Sequence, residues 1–393
     1  MNTRSQLKDP RIAVAWLFIV IFFILLWLPL ADSALHLDQT PMPSENRALA
    51  QRPGFNPGLA EMRAFLTGWE EYYRDHFGFR NRLVQCNNRW KRQWFHESNQ
   101  GSKVIGQQGW LFYFGDYALD HYAGDLKFSE TELKSWQELL EKRRDWLGQR
   151  GIKYLFVITP DKHSIYPEYL PAWVVKRPSP RKIDQFFSYM KAHSTVPVLD
   201  LRPSLLEAKR TEAIYLKTDT HWNHYGCFIS YQTVLQELSA QLPSLRPLSR
   251  TNFDWKHVQQ PAGDLAKLQG QADQMVETNF IDFSARLPLH PVMQRSVPER
   301  LPKKWLPNAE PTVSECPDQT GRALVFGDSF ARRWSPFLGR HFRETVYIWQ
   351  YEWDAAFIER EKPDVVIDEI VERFFNNQDP RILMQLDSLP GNL

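Results

Sequence analysis

Two short stretches carry the residue types of acyl-transfer chemistry. Gly327-Asp328-Ser329-Phe330 follows the apolar run Ala323-Leu324-Val325-Phe326 and precedes a helical pattern. That context places a serine on a strand-to-helix turn at the carboxyl edge of a sheet, where α/β folds bind ligands. The second stretch, Lys217-Thr218-Asp219-Thr220-His221-Trp222-Asn223-His224, sets a carboxylate and an imidazole two residues apart in an extended segment. Side chains at that spacing point to the same side. A serine nucleophile needs a base to take its proton and a carboxylate to hold that base in one tautomer, and Ser329, His221 and Asp219 supply the three. Each stretch taken alone also has a plainer reading. Gly-Asp-Ser is a common helix entry with Asp or Ser as N-cap, and His221 can simply open the next helix with Asp219 as a cap. A third reading takes Asp219, His221 and His224 as metal ligands, but no further His or carboxylate cluster completes a coordination sphere. No metal or other cofactor is expected.

The elements around these stretches alternate. Ser129 with Glu132 forms a capping box, and Leu133, Trp136, Leu139, Leu140 and Leu147 make one apolar helix face ending near Gly151. Tyr154 to Thr159 is an unbroken apolar run, as expected for a strand buried on both faces. Ile183, Phe186, Phe187 and Met190 mark another helix, then a strand at Val196 to Leu201 and a helix from about Asn223 to Leu242. Further strands are expected at Ala323 to Phe326, Val346 to Trp349 and Val365 to Ile370. Strands alternating with helices imply parallel βαβ units and an α/β sandwich. Pro243 to Arg322, rich in Pro, Gln, Ser and Asp, reads as an irregular insertion into it. Upstream, helical spacing covers residues 58 to 99, with a second segment at Leu83 to Phe95, and the Gly- and aromatic-rich stretch 101 to 122 suits short strands and a turn.

The 393 residues carry 48 basic and 46 acidic side chains, a formal charge of +2, and 15 Trp. This neutrality, without a basic stripe, argues against nucleic-acid binding. Mean hydropathy is -0.48, so the uncharged run Ile12 to Ala31 is an exception, and its twenty residues match a bilayer core of roughly 30 Å. Arg4, Lys8 and Arg11 precede it and Asp32 follows, an arrangement that keeps the N-terminus in the cytoplasm and the rest across the membrane. A cleaved signal peptide is the competing reading, since Ala31-Asp32-Ser33-Ala34 offers small residues, but its apolar core would be only about 7 to 15 residues long. The expected organisation is a cytoplasmic stub and signal anchor at 1–31, a proline-bearing linker at 32–58 and one domain at 59–393, with the insertion at about 243–322. Cys86, Cys227 and Cys316 allow at most one disulfide.

Taken together, Asp219-Thr220-His221-Trp222 followed later by Gly327-Asp328-Ser329 resembles the SGNH-like polysaccharide O-acetyltransferases of the alginate acetylation type, the AlgJ/AlgX group. Ser44-Glu45-Asn46-Arg47, Asp75-His76-Phe77-Gly78-Phe79-Arg80, Gly109-Trp110-Leu111-Phe112, Pro160-Asp161-Lys162 and Gly263-Asp264-Leu265 resemble its landmarks, so the resemblance runs from about residue 44 to about 375. It implies an SGNH-hydrolase-like three-layer fold, with Ser329 as nucleophile, His221 as general base and Asp219 as its orienting carboxylate. It also implies acetyl transfer, through an acetyl-serine, to hydroxyls of an exopolysaccharide in the periplasm. The enzyme would sit in the inner membrane on a single pass, with a membrane-bound O-acyltransferase relaying the acetyl group. An AlgJ-like arrangement without a C-terminal carbohydrate-binding module is expected. An acetyl esterase with the same triad, or a non-catalytic polysaccharide-binding subunit, are the alternatives. Trp222, beside His221, is a candidate to stack on a sugar ring, with Trp110 and Trp334 behind it, and Arg332 and Arg333 are candidates for a sugar carboxylate.

Overall fold

A computed structural model of the chain describes residues 10–35, 37–38, 50–54, 59–80, 82–83, 104–286, 292–296, 311–387 and 389. Arg4, Lys8, Ser44 to Arg47, Cys86 and most of the Leu83 to Phe95 helix lie outside them. Two units are distinguishable, residues 1–102 with 267–271 and residues 103–266 with 272–393.

In the first unit the apolar run forms the helix Pro10–Leu35, within which Val14–Ser33 is long and apolar enough to cross a membrane. A second helix spans Leu59–His76. Near the C-terminal end of that helix, buried Asp32 accepts hydrogen bonds from the backbone N–H groups of Asp38 (2.6 Å) and Phe79 (2.8 Å).

The second unit is built on strands. Short strands β1 (Val104–Ile105) and β2 (Phe112–Tyr113) pair antiparallel. Among the described residues the main sheet has seven strands, β3 (Lys153–Thr159), β4 (Val198–Asp200), β7 (Met293–Ser296), β8 (Thr312–Glu315), β9 (Arg322–Gly327), β10 (Glu344–Trp349) and β11 (Val365–Val371). β5 (Phe253–Pro261) and β6 (Val276–Ala285) form a separate antiparallel pair. The sheet order is β4-β3-β11-β9-β10-β8-β7, parallel from β4 through β10 and antiparallel at β8 and β7. The stretch 243–322 is thus not irregular: it holds a ribbon of its own and also lends β8 and the edge strand β7 to the main sheet.

Alternation explains the layers. Successive strand residues face opposite sides, so Leu155 and Val157 of β3 join Val325 of β9 and Ile367 of β11 in one core. Tyr154, Phe156 and Ile158 join Leu324, Phe326 and Val366 in the other. The helices Glu130–Gly148 and Lys182–His193 cover the second core through Trp136, Leu140, Ile183 and Phe186. The helix His224–Ser239 covers the first through Phe228, Val234 and Leu235. A sheet buried on both faces is what the continuous apolar strands require. The expected capping box is present: Ser129 accepts from the Glu132 N–H while Glu132 accepts from the Ser129 N–H at 2.7 Å. A buried arginine ties the second core together, because Arg143 donates to Asp368 at 2.8 Å and to both oxygens of Asp387 at 2.8 and 2.9 Å.

Candidate active site

Strand β9 ends at Gly327, and the chain turns at once into the four-residue helix Ser329–Arg332. The turn is tight: a Cβ on Gly327 would lie 2.8 Å from a Glu369 oxygen and 3.0 Å from the Ala331 Cβ. The capping role and the chemical role divide between neighbouring residues. Asp328 is the N-cap, accepting from the Phe330 N–H at 2.9 Å, and its second oxygen accepts from Tyr351 Oη at 2.8 Å and the Val371 N–H at 3.0 Å. Beneath it, burial and the charge of Asp328 push the Glu369 carboxyl well above the usual carboxylate range, and its Oε2 accepts the Asp328 N–H at 3.2 Å. Ser329 is left facing the other stretch.

Its hydroxyl lies 2.7 Å from His221 Nε2, and His221 Nδ1 lies 2.6 Å from Asp219 Oδ1. With Nδ1–H donating to the carboxylate, Nε2 is the acceptor for the serine proton, the tautomer that the network requires. Asp219 also accepts the His221 backbone N–H at 3.0 Å. Burial opposes the Asp219 charge, but the hydrogen bonds from His221 together with the His221 and Arg333 charges outweigh it, and the carboxyl is held well below its usual range. His221 does not open the next helix: that N-cap is Asn223, which accepts from the Gly226 N–H at 2.9 Å.

A second set of groups holds this loop. Lys162, almost wholly buried, directs Nζ at three backbone carbonyls, those of Leu216 (2.9 Å), Lys217 (3.1 Å) and Asp219 (2.7 Å). Burial pushes its ammonium down to about 7, against the opposing pull of Asp219, Asp264 and Glu277. Glu277, on β6, accepts from the N–H groups of Lys217 and Thr218 and from Thr218 Oγ1 at 3.1, 2.7 and 2.6 Å. Asp264 accepts from the Thr220 N–H and Oγ1 at 2.7 and 2.6 Å, and its own N–H donates to Asp219 Oδ2 at 3.2 Å. Gly263 lets this contact form, since a Cβ there would sit 2.4 Å from the Asp219 Cβ. Lys162 and Gly263-Asp264 stand out in the sequence as landmarks without a role. Glu277 has no local signal at all, because its partners lie about 60 residues away.

Several expected site residues sit elsewhere. Trp222 is fully buried, edge-on to Phe330 at 5.0 Å and stacked on Trp334 at 6.2 Å. It cannot stack on a sugar: the 217–221 stretch bends, with the His221 N–H closing a turn onto Asp219 Oδ1, and Trp222 then pairs with Tyr215 and sends its indole into the core. Trp334 is also fully buried, with Nε1 donating to Ser230 Oγ at 2.7 Å, and Trp110 is packed on Tyr169 at 4.7 Å between ring centres. His224 turns away from Asp219, with Nδ1 3.0 Å from the Ile281 carbonyl oxygen and its ring against Phe280 and Phe283, so the metal set Asp219-His221-His224 is not assembled. Ligand atoms of Asp219, His221 and Asp264 do lie within 4.8 Å of one another, yet each of these residues is engaged in the hydrogen bonds above. Arg333 reaches to 3.8 Å from Asp219 Oδ1, and the Arg332 guanidinium lies over the Trp349 ring, 5.9 Å from its centre. Cys227 and Cys316 are buried free thiols.

Comparison with known proteins gives the family. Residues 104–300 match the family model described as SGNH hydrolase-like domain, acetyltransferase AlgX, a stretch that includes Asp219, His221 and Gly263-Asp264 and stops before Ser329. The chain is 27% identical over 241 residues to the probable alginate O-acetylase AlgJ of Pseudomonas aeruginosa, covering 60% of this chain and 54% of that protein. With the Pseudomonas putida protein of the same name it shares 28% over 215 residues, 54% of this chain and 49% of the relative. The chain therefore spans about half the length of the curated relatives it matches. Among solved structures, Bacillus cereus PatB1 superposes with a TM-score of 0.52 at 16% identity, over 70% of this chain and 98% of the other. A DHHW family protein from Eubacterium siraeum gives 0.51 at 12% identity, over 74% and 98%. Both likenesses concern the fold, a three-layer SGNH-like sandwich. With half of its length matched by the family model and Asp219, His221 and Ser329 converging at the sheet edge, the chain belongs to the AlgX-type family of SGNH hydrolase-like acetyltransferases.

Proposed function

We propose that this protein transfers acetyl groups to hydroxyls of an extracytoplasmic polysaccharide. The observation that carries the reading is the continuous hydrogen-bonded line from Ser329 Oγ through His221 to Asp219, at 2.7 and 2.6 Å. As Ser329 Oγ attacks the acetyl carbonyl, its proton passes to His221 Nε2, and Asp219 stabilises the imidazolium that forms. Collapse of the tetrahedral adduct expels the donor's leaving group, which takes the proton from His221, and leaves acetyl-Ser329. A sugar hydroxyl then gives its proton to His221 and attacks the acetyl carbon. Release of Ser329, reprotonated by His221, completes the cycle. The Ser329 backbone N–H is the first donor for the developing oxyanion.

The apolar N-terminal helix supports a membrane-anchored enzyme. Val14–Ser33 anchors the chain, and the triad stands on the far side of the bilayer from the basic N-terminus. Acetyl-CoA is cytoplasmic, so the acetyl group reaches Ser329 through a relay, for which a membrane-bound O-acyltransferase is the partner. The relatives are named for alginate O-acetylation, which supports an acidic polymer as acceptor.

The test uses the full-length chain in detergent with a small acetyl ester and an oligosaccharide, following both products by mass spectrometry. Acetylated sugar should form, and Ser329→Ala should lower its rate by at least about 10³-fold. Free acetate as the sole product would replace transferase by esterase, and transfer that survives Ser329→Ala would remove the assignment.

A further inference from the structure

The fold leaves an exposed aromatic beside the nucleophile. Five of the six residues of β10 are buried, and the sixth, Trp349, is 43% exposed. In the parallel pairing of β10 with β9, Trp349 stands directly opposite Gly327, two residues before Ser329. Neighbouring strands run about 4.8 Å apart, so the indole emerges at the carboxyl edge one strand away from the nucleophile turn. Arg332 belongs to the helix that Ser329 opens, and its guanidinium carbon lies 5.9 Å from the indole centre. The side chain is half-buried, and it brings a cation already laid against an aromatic face.

The opposite flank repeats the arrangement. β11 pairs with β9 on its other side, and Phe374, three residues past the end of β11, is 37% exposed with the Arg373 guanidinium 4.9 Å from its ring centre. Its ring meets Tyr351 edge-on at 6.5 Å, and Tyr351 in turn holds Asp328, the residue before Ser329. Arg373, unlike Arg332, is buried and paired with Asp161. Of the two cations, Arg332 is the one with solvent access and no carboxylate ion pair among the described residues.

We propose that Trp349 and Arg332 form an acceptor subsite for an acidic sugar residue, the pyranose face stacking on the indole and the sugar carboxylate pairing with the guanidinium. This rests on the transferase reading above and adds to it the place and the charge of the acceptor. An aromatic ring offers a flat apolar face to the C–H side of a sugar, while a guanidinium offers paired donors that match a carboxylate. Their spacing places both on one ring-sized ligand. Trp222, buried behind Phe330, cannot do this.

The experiment measures acceptor KM in the full-length, detergent-solubilised chain with a short oligouronate and a neutral oligoglucan of equal length. Trp349→Ala should raise KM for the oligouronate about tenfold, and Trp349→Phe should restore most of that affinity. Arg332→Ala should raise KM for the oligouronate about tenfold and for the oligoglucan much less, with the difference shrinking as salt is added. Calorimetric titration of the same oligouronate into Ser329→Ala, alone and combined with Trp349→Ala or with Arg332→Ala, reads binding without turnover. A tenfold weakening there supports the subsite even if no sugar is ever acetylated, which separates its failure from failure of the transferase reading. Unchanged KM and unchanged titration in both variants would overturn the subsite, and an equal effect of Arg332→Ala on both sugars would overturn its charge preference.

Discussion

Replacing Lys162 by Met tests whether the histidine loop is held by a buried ammonium. The side chain keeps its length and apolar stem, but the carbonyls of Leu216, Lys217 and Asp219 lose a charged donor at 2.7 to 3.1 Å. A hydrogen bond to a charged group contributes about 1.5 to 3 kcal/mol, so the change is large enough to release the Asp219 backbone. A shift of about 1 Å in a positioned base costs on the order of 10²-fold in rate, so kcat for acetyl transfer should fall about 100-fold, with donor KM changed by less than about threefold. The pH dependence is the sharper readout. The neutral amine keeps two N–H donors for three carbonyls, so the wild-type rate should decline as pH rises through about 7, and Lys162→Met should lack that decline. Folding stability must move the other way. Below about pH 7 the lysine is charged in both folded and unfolded chains and the whole burial cost is present. Above its unfolded value of 10.5 it is neutral in both. Between them the unfolded chain holds a proton that the folded chain has lost, so stability rises with pH, by on the order of 5 kcal/mol for a lowering from 10.5 to about 7. Rates are read from acetylated oligosaccharide by mass spectrometry, and stability from urea unfolding at the same pH values. A Lys162→Met enzyme within threefold of wild type, or wild-type activity and stability that fall together on the alkaline side, would refute the ammonium clamp.

Two further substitutions probe the same site from other sides. Gly263→Ala inserts a Cβ 2.7 Å from Asp219 Oδ2, so kcat should drop at least about tenfold as the carboxylate is displaced from His221; a steady-state assay with unchanged kcat would show that the loop can give way. Trp222→Ala empties a fully buried indole site and should cost about 3 to 5 kcal/mol in urea unfolding. Loss of oligosaccharide binding with stability intact would contradict the core role assigned to Trp222.

Much of the framework was legible because it is written in local period. The runs that became β3, β9, β10 and β11 are continuous and apolar, as strands covered on both faces must be, and the Ser129 box set the start of its helix within one residue. Asp219, His221 and Ser329 are legible as a candidate triad only when the two stretches are read together, since each alone reads equally as a helix entry. Trp222 shows the limit: its adjacency to His221 suggested the site, while the turn at Asp219-His221 and the packing on Phe330 and Trp334 bury it. β7 and β8 are not legible in the same way, because each is only four residues long and carries no continuous apolar run.

What the amino-acid sequence determined by itself, then, was an α/β sheet, an apolar N-terminal span and a set of reactive residue types. The tertiary structure decided which residues meet. His221 and Ser329 are 108 positions apart, and their contact depends on β9 lying inside the sheet with the 217–224 loop folded across its carboxyl edge. The Lys162 and Glu277 contacts that hold this loop, and the pairing of β10 with β9 that sets Trp349 opposite Gly327, arise the same way. Such contacts belong to strand order and chain crossing, which no local period records, because a hydrogen bond between distant residues is specified only once the elements carrying them have packed.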